Sequence, residues 1–163
     1  MNNLLNKIID ILNQSPISSF VMDNAFVFPA LEMAHFLGLC LLFGSLIIVD
    51  LRMLGFAKNM PLNLVDKFLK FAIAGFSINF ISGALFVIGD SDRYLVNIAF
   101  WAKMAVIVVA GLNTLYFLKA IKPLMTSKPT TTQLPTQAHL VAWLSLISWT
   151  LVIILGRLIP YVE

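Results

Sequence analysis

Charged residues are scarce in this chain: Asp, Glu, Lys and Arg make up 12% of its 163 residues, against about a quarter in an ordinary soluble domain. So is cysteine. The single Cys40 excludes an intrachain disulfide and a multi-cysteine metal site. There are two histidines, His35 and His139, too few for a histidine-based metal cluster. No glycine-rich phosphate loop occurs, and no stretch has the composition of a separate soluble domain. The opening "MNNLLNKIIDILNQS" lacks the continuous apolar region of a cleavable signal peptide, so the amino terminus is expected to be retained.

What the chain has is long apolar runs. Hydrophobic residues make up 60% of it. Four runs, Ala30 to Leu51, Phe68 to Ile88, Ile98 to Leu118 and Leu140 to Ile159, each reach the roughly 20 residues that a helix needs to cross about 30 Å of hydrocarbon. Unbroken runs of that length are not the alternation of a membrane β-barrel. The expected fold is all-α: a four-helix, up-and-down transmembrane bundle over residues 29–163, in contact with the lipid bilayer. Residues 1–28 precede it. There, "LLNKIIDILNQS" sets Leu4, Leu5, Ile8, Ile9, Ile11 and Leu12 on one stripe opposite Lys7, Asp10 and Asn13, the pattern of an interfacial amphipathic helix. Ser15-Pro16 ends that helix and can start a second. Pro29 suits the first turn of the first membrane helix.

The net charge of +3 resolves into loops. Arg52, Lys58, Lys67 and Lys70 fall between the first and second helices, and Lys119, Lys122 and Lys128 between the third and fourth; the other side holds Lys7 and Arg93. That asymmetry predicts both basic loops in the cytoplasm and both termini outside. It ties the excess charge to topology and anionic lipid, with no role for nucleic acid. The second basic loop, Pro123 to Gln137, reads as an exposed linker.

Ionisable residues inside the apolar runs carry whatever chemistry the chain has, because each must face protein, water or the interface. Glu32 and Asp50 lie about five turns apart on one face of the first helix, with His35 roughly 60° away. The alternating topology brings Glu32, His35, Lys103 and Arg157 to the outer half of the bundle, and Asp50, Arg52, Lys119 and His139 to the inner boundary. The outer cluster admits a structural reading, in which Glu32 pairs with Lys103 or Arg157 and joins helices. It also admits a chemical one, in which His35 is a haem or metal ligand or a proton carrier. A haem held by both histidines is excluded by their opposite ends. Asp50 to Arg52 is expected to snorkel into head groups, with Asp50 near a lysine. Asn79 and Asn113 are expected to hydrogen-bond across helices, and Gly38, Gly44, Gly75 and Gly83 to let helices approach. Trp143, Trp149 and Tyr161 fit packing and interface anchoring.

The segments "FPALEMAHFLGLCLLFGSLIIVDLRMLGF", "NIAFWAKMAVIVVAGLNTLYF" and "SLISWTLVIILGRLIPY" resemble an uncharacterised bacterial family of four-helix inner-membrane proteins. The marks of that resemblance are Glu32, His35, Gly38, Gly44, Asp50, Arg52, Lys103, Asn113, Gly156 and Arg157, and it implies a location but no activity. More distantly, a His opening a helix, an Arg at its far end and a Lys opening a later helix resemble the copper-resistance D family and the membrane-bound, haem-containing protoporphyrinogen oxidases. That likeness implies haem b on His35, with Lys103 as the lysine of the later helix. The segment "DLRMLGF" departs from the proline-arginine ending of the oxidases. Three readings stay open: a small membrane subunit or accessory protein acting with a membrane partner or a second copy of itself; a haem-b redox protein using His35, Lys103 and Arg157; and a metal-ion or proton transporter using Glu32, His35 and Asp50.

Overall fold

The computed structural model describes residues 2–57, 60–127 and 135–162. Two short helices come first, α1 (Asn2–Asn13) and α2 (Pro16–Asp23). Ser15 caps α2 by accepting from the Ser18 amide at 3.2 Å, and Pro16 occupies the first helical position, where its missing N–H costs nothing. Then follow α3 (Val27–Met53), α4 (Leu62–Gly89), the single-turn α5 (Ser91–Leu95) and α6 (Ile98–Tyr116). A π-helical turn (Phe117–Ile121) leads into α7 (Lys122–Ser127), and α8 (Thr136–Leu158) ends in a 3-10 turn (Ile159–Tyr161). The four long helices run antiparallel in sequence order, and each is long and apolar enough to cross a bilayer. The chain is a multi-pass membrane protein, and outward-facing side chains such as Ile73, Phe80, Trp101 and Leu112 meet lipid.

The helical segments outrun the apolar runs that announce them, the third by way of the π-helical turn and α7 and the fourth through its 3-10 turn. Hydropathy measures the hydrocarbon crossing, whereas helix continues wherever backbone hydrogen bonds continue. Lys67 and Lys70 therefore lie on α4 rather than in a loop, and Lys122 of α7 reaches back to Asp66 of α4 at 2.6 Å. The expected linker from Pro123 is helical to Ser127. Pro123 removes one helical hydrogen bond and crowds the carbonyl four residues earlier, and the wide turn just before it absorbs both effects. The part of that linker at 128–134, with Lys128, lies outside the described residues, as does Lys58. α3 stops where Gly55 takes a left-handed φ of 89°, letting the Phe56 amide turn back to the Leu51 carbonyl at 3.0 Å.

The packing departs from a square bundle. α3 and α8 form the central pair; α4 packs on α3, and α6 on α8. Among the described residues α4 and α6 do not pack along their length, although chain order had suggested neighbours, because α5 carries the chain across that gap. The α3–α4 contact is backbone on backbone: a Cβ on Gly75 would sit 2.5 Å from the Leu42 amide nitrogen and 2.6 Å from the Gly38 carbonyl oxygen. Gly44 has nothing within 4 Å, and Gly83 makes ordinary contact with His35 at 3.7 Å, so only Gly38 and Gly75 of the four work as close-approach positions.

Apolar packing is uneven along the bundle. One buried cluster, including Val49, Met53, Leu69, Ile121 and Val141, fills the end where α3 finishes. A second, around Leu42, Leu46, Ala110 and Trp149, fills the middle. Toward the end where α3 begins, the inward residues are His35, Ser82 and Lys103. There α2 closes over α4: Ser18 donates to the Gly89 carbonyl at 3.2 Å, and a Cβ on Gly89 would lie 2.9 Å from Val21. α1 joins α5 through Asn13, whose amide donates to Asp92 at 2.7 Å. Ile9 of α1 is buried on this contact, while Leu4, Ile8 and Ile11 of the same apolar arc face outward.

Candidate functional site

His35 is fixed by its neighbours on α4. Its Nδ1 lies 2.8 Å from Ser82 Oγ, and the Ser82 hydroxyl itself donates to the Ile78 carbonyl at 2.7 Å. With the serine proton assigned to that carbonyl, Nδ1 carries the hydrogen and donates to Oγ, and Nε2 is then the ring's lone-pair nitrogen. No partner for Nε2 occurs among the described residues. The ring meets the edge of Phe86 at a centroid distance of 5.5 Å, and Phe86 in turn packs on Phe28 at 5.4 Å. Gly83 gives the imidazole room.

Lys103 of α6 is the charged group that acts on this imidazole. Its stem crosses α8 at Gly156, where a Cβ would stand 3.2 Å from Nζ. The glycine is thus a slot for a lysine. Among the described residues Nζ has no carboxylate within ion-pair distance.

The other two residues of the expected outer cluster point elsewhere. Glu32 is exposed, and the expected ion pair with Lys103 or Arg157 is absent among the described residues. Burial, with the negative charges of Asp90 and Glu32 nearby, pushes the Tyr94 phenol above its usual range. Arg157 is exposed and lies over Tyr161 on its own helix, 5.5 Å from the ring centre, with Nη2 donating to the phenol oxygen at 3.3 Å. His35 and Lys103 therefore form the inward-facing pair.

At the opposite end, Asp50 and Arg52 do not snorkel. Asp50 is 2% exposed and shares a small cavity with Ser145 of α8. Its Oδ2 has no hydrogen-bond partner among the described residues. Arg52, also buried, donates to the carbonyls of Met60 and Ala57 and ties the end of α3 to the turn before α4. A cavity of about 10 Å³ lies beside Asp50, lined also by Asn113, Thr114, Phe117 and Ser145; that is room for about one water molecule. Asn113 crosses to α8 as expected, donating to the Val141 carbonyl at 3.0 Å, but Asn79 bonds within α4 to Gly75 at 3.1 Å. His139 sits in the first turn of α8, at the far end from His35. Trp149 is buried against Phe76, and Trp143 is exposed.

Three residues that shape these sites went unremarked in the sequence: Ser82, Ser145 and Asn97. A serine in an apolar helix most often bonds its own carbonyl four residues back, as Ser77 does to Ile73 at 2.9 Å. Nothing local marks the ones that also face a partner. Asn97 did carry a signal, standing directly before an apolar run as a helix cap does.

No curated protein and no solved structure matches the chain. The profile of a family of unknown function (DUF6644) matches residues 25–162, which takes in α3 to α8 and every residue of both sites. The chain belongs to that family.

Proposed function

We propose that the chain is a membrane haem-b protein whose iron ligand is His35. The observation that carries this reading is the setting of the imidazole: Nδ1 lies 2.8 Å from Ser82 Oγ, whose hydroxyl bonds the Ile78 carbonyl, and Nε2 has no partner among the described residues. A hydrogen-bonding group on the other ring nitrogen that fixes the tautomer of a ligating histidine is a recurrent device at metal centres. The surroundings fit the group. Phe28 and Phe86 supply apolar surface, and Lys103 supplies a cation lacking a carboxylate within the described residues, suited to a propionate. Haem, when bound, would supply one-electron exchange. His35 would hold the iron, Ser82 the ring plane and Lys103 the balancing charge. Arg157, exposed on α8, is placed to meet a second propionate or a substrate only by leaving Tyr161. Among the described residues Glu32 makes no ion pair with Lys103 or Arg157, which favours the chemical reading of the cluster over the structural one.

The basic-residue asymmetry supports a location in a bacterial inner membrane with both termini outside. Residues 1–28 would then form an outer-face segment, α1 lying in the interface with Leu4, Ile8 and Ile11 turned to lipid, ahead of a transmembrane domain at 29–163. The His35 site would open on the outer half.

The test is an absorption spectrum of detergent-purified protein from haem-supplemented cells, oxidised and dithionite-reduced. The expected result is a Soret band with reduced α and β bands, lost in His35→Ala and kept in Lys103→Gln. Removing the lysine cation should lower the midpoint potential, because a positive charge favours the less positive ferrous state. A wild-type protein with a cooperative melt and no Soret band would overturn the haem reading.

A further inference from the structure

Asp50 stands apart from the His35 site, and its surroundings are those of an ion rather than of a buried acid alone. A carboxylate 2% exposed, with one oxygen lacking a donor among the described residues, is a costly arrangement inside an apolar bundle. No lysine, arginine or histidine lies within ion-pair distance of it among the described residues. The cavity beside it is walled mainly by apolar side chains such as Leu46, Val49 and Phe117, and its polar lining residues besides Asp50, namely Asn113, Thr114 and Ser145, each carry a side-chain oxygen. The Asn113 NH2 is engaged by Val141 at 3.0 Å, leaving the amide oxygen as its free polar atom. The Thr114 hydroxyl donates to the Ala110 carbonyl at 2.9 Å, leaving lone pairs on Oγ1. Ser145, on α8, brings a further hydroxyl oxygen to the same cavity. Beside these residues begins the π-helical turn, a feature that often marks functional positions because it re-aims the residues around it.

We infer that the cavity between Asp50, Asn113, Thr114 and Ser145 binds one sodium ion. The donor set is all oxygen, which suits a hard cation and not a soft metal. It holds one carboxylate, and no group of three or more His, Cys, Asp or Glu side chains occurs among the described residues, so a single positive charge balances it where a divalent ion would not. The cavity, about 10 Å³, holds one water-sized particle. A water could donate to Oδ2 but would leave the charge uncompensated; sodium satisfies the oxygen and the charge together. Because the ion would join α3, α6 and α8, its binding should be read out as bundle stability.

The full chain in detergent is melted with NaCl titrated against choline chloride at constant ionic strength, and separately with KCl. Sodium retention is measured by equilibrium dialysis with radioactive sodium. The wild type should gain melting temperature saturably with sodium, less with potassium and not with choline, and should retain about one sodium per chain at saturation. Asp50→Asn should melt no lower than the sodium-free wild type, respond to no cation and retain none. Thr114→Val and Ser145→Ala should each weaken the half-saturation concentration by about tenfold or more. Equal responses to sodium and choline would overturn the proposal, as would stabilisation by acid alone, which would make the ligand a proton. A sodium response surviving in Asp50→Asn would place the ion elsewhere. Since His35→Ala leaves Asp50 untouched, failure here and failure of the haem reading are separate results.

Discussion

Gly75→Ala should destabilise the bundle sharply, although alanine is the better helix former. Propensity alone favours the substitution by about 1 kcal/mol. The added methyl, however, would lie 2.5 Å from the Leu42 nitrogen and 2.6 Å from the Gly38 oxygen. Both are backbone atoms of a rigid helix, and no side chain can swing away. α3 and α4 would have to separate along the closest contact in the fold, carrying Ser82 away from His35, at a cost of about 1–3 kcal/mol or more. Gly44→Ala is the matched control on α3, because nothing lies within 4 Å of its added methyl. Thermal melts in one detergent should therefore place Gly75→Ala well below wild type and Gly44→Ala at or above it. Gly75→Leu should not accumulate as folded protein. Equal melts for the two alanine variants would mean that the helices do not meet at Gly75.

Those two glycines show what a sequence reading can and cannot reach. Both stand in apolar runs, and both read as close-approach positions. Which of them touches a neighbour depends on how α3 and α4 are each rotated about their axes, and composition does not encode rotation. The helices themselves were legible because a 20-residue apolar run has few physical alternatives. Their partners were less so: an up-and-down order sets α4 beside α6, but the glycine contact fixes α4 to α3 and α5 spans the remaining gap. The polar residues divide in the same way. Alternating topology assigned His35 and Lys103 to one end and Asp50 to the other. It could not assign Glu32 and Arg157 to the outside, because at a helix end lipid head groups and water compete with the bundle interior for the same side chain. Asp50 and Arg52, two residues apart, face directions about 160° different, so one lines a cavity while the other caps a turn.

Asn97→Ala should be the second severe lesion, and it acts through two ends of the chain at once. The side chain is 4% exposed. Its Oδ1 accepts from the Ala99 and Phe100 amides at 2.9 and 3.2 Å, capping α6. Its Nδ2 donates to the Ile159 carbonyl at 2.9 Å and to the Val162 carbonyl, holding the final turn of the chain against the start of α6. Losing the cap costs about 1 kcal/mol, and leaving a buried carbonyl unmatched costs about 1–3 kcal/mol. Together these should lower the melting temperature by several degrees. Asn97→Asp separates the two roles. The carboxylate still accepts from the α6 amides and suits the positive end of the helix, but it cannot donate and would face two carbonyl oxygens. Hydrogen exchange should then quicken at residues 159–162 while the first turn of α6 stays protected; Asn97→Ala should quicken both. Because Gly156 and the lysine slot lie less than one turn before the released segment, loosening it should also widen the space around Lys103. If Asn97→Asp left exchange at residues 159–162 unchanged, the clamp would not be what orders the end of the chain.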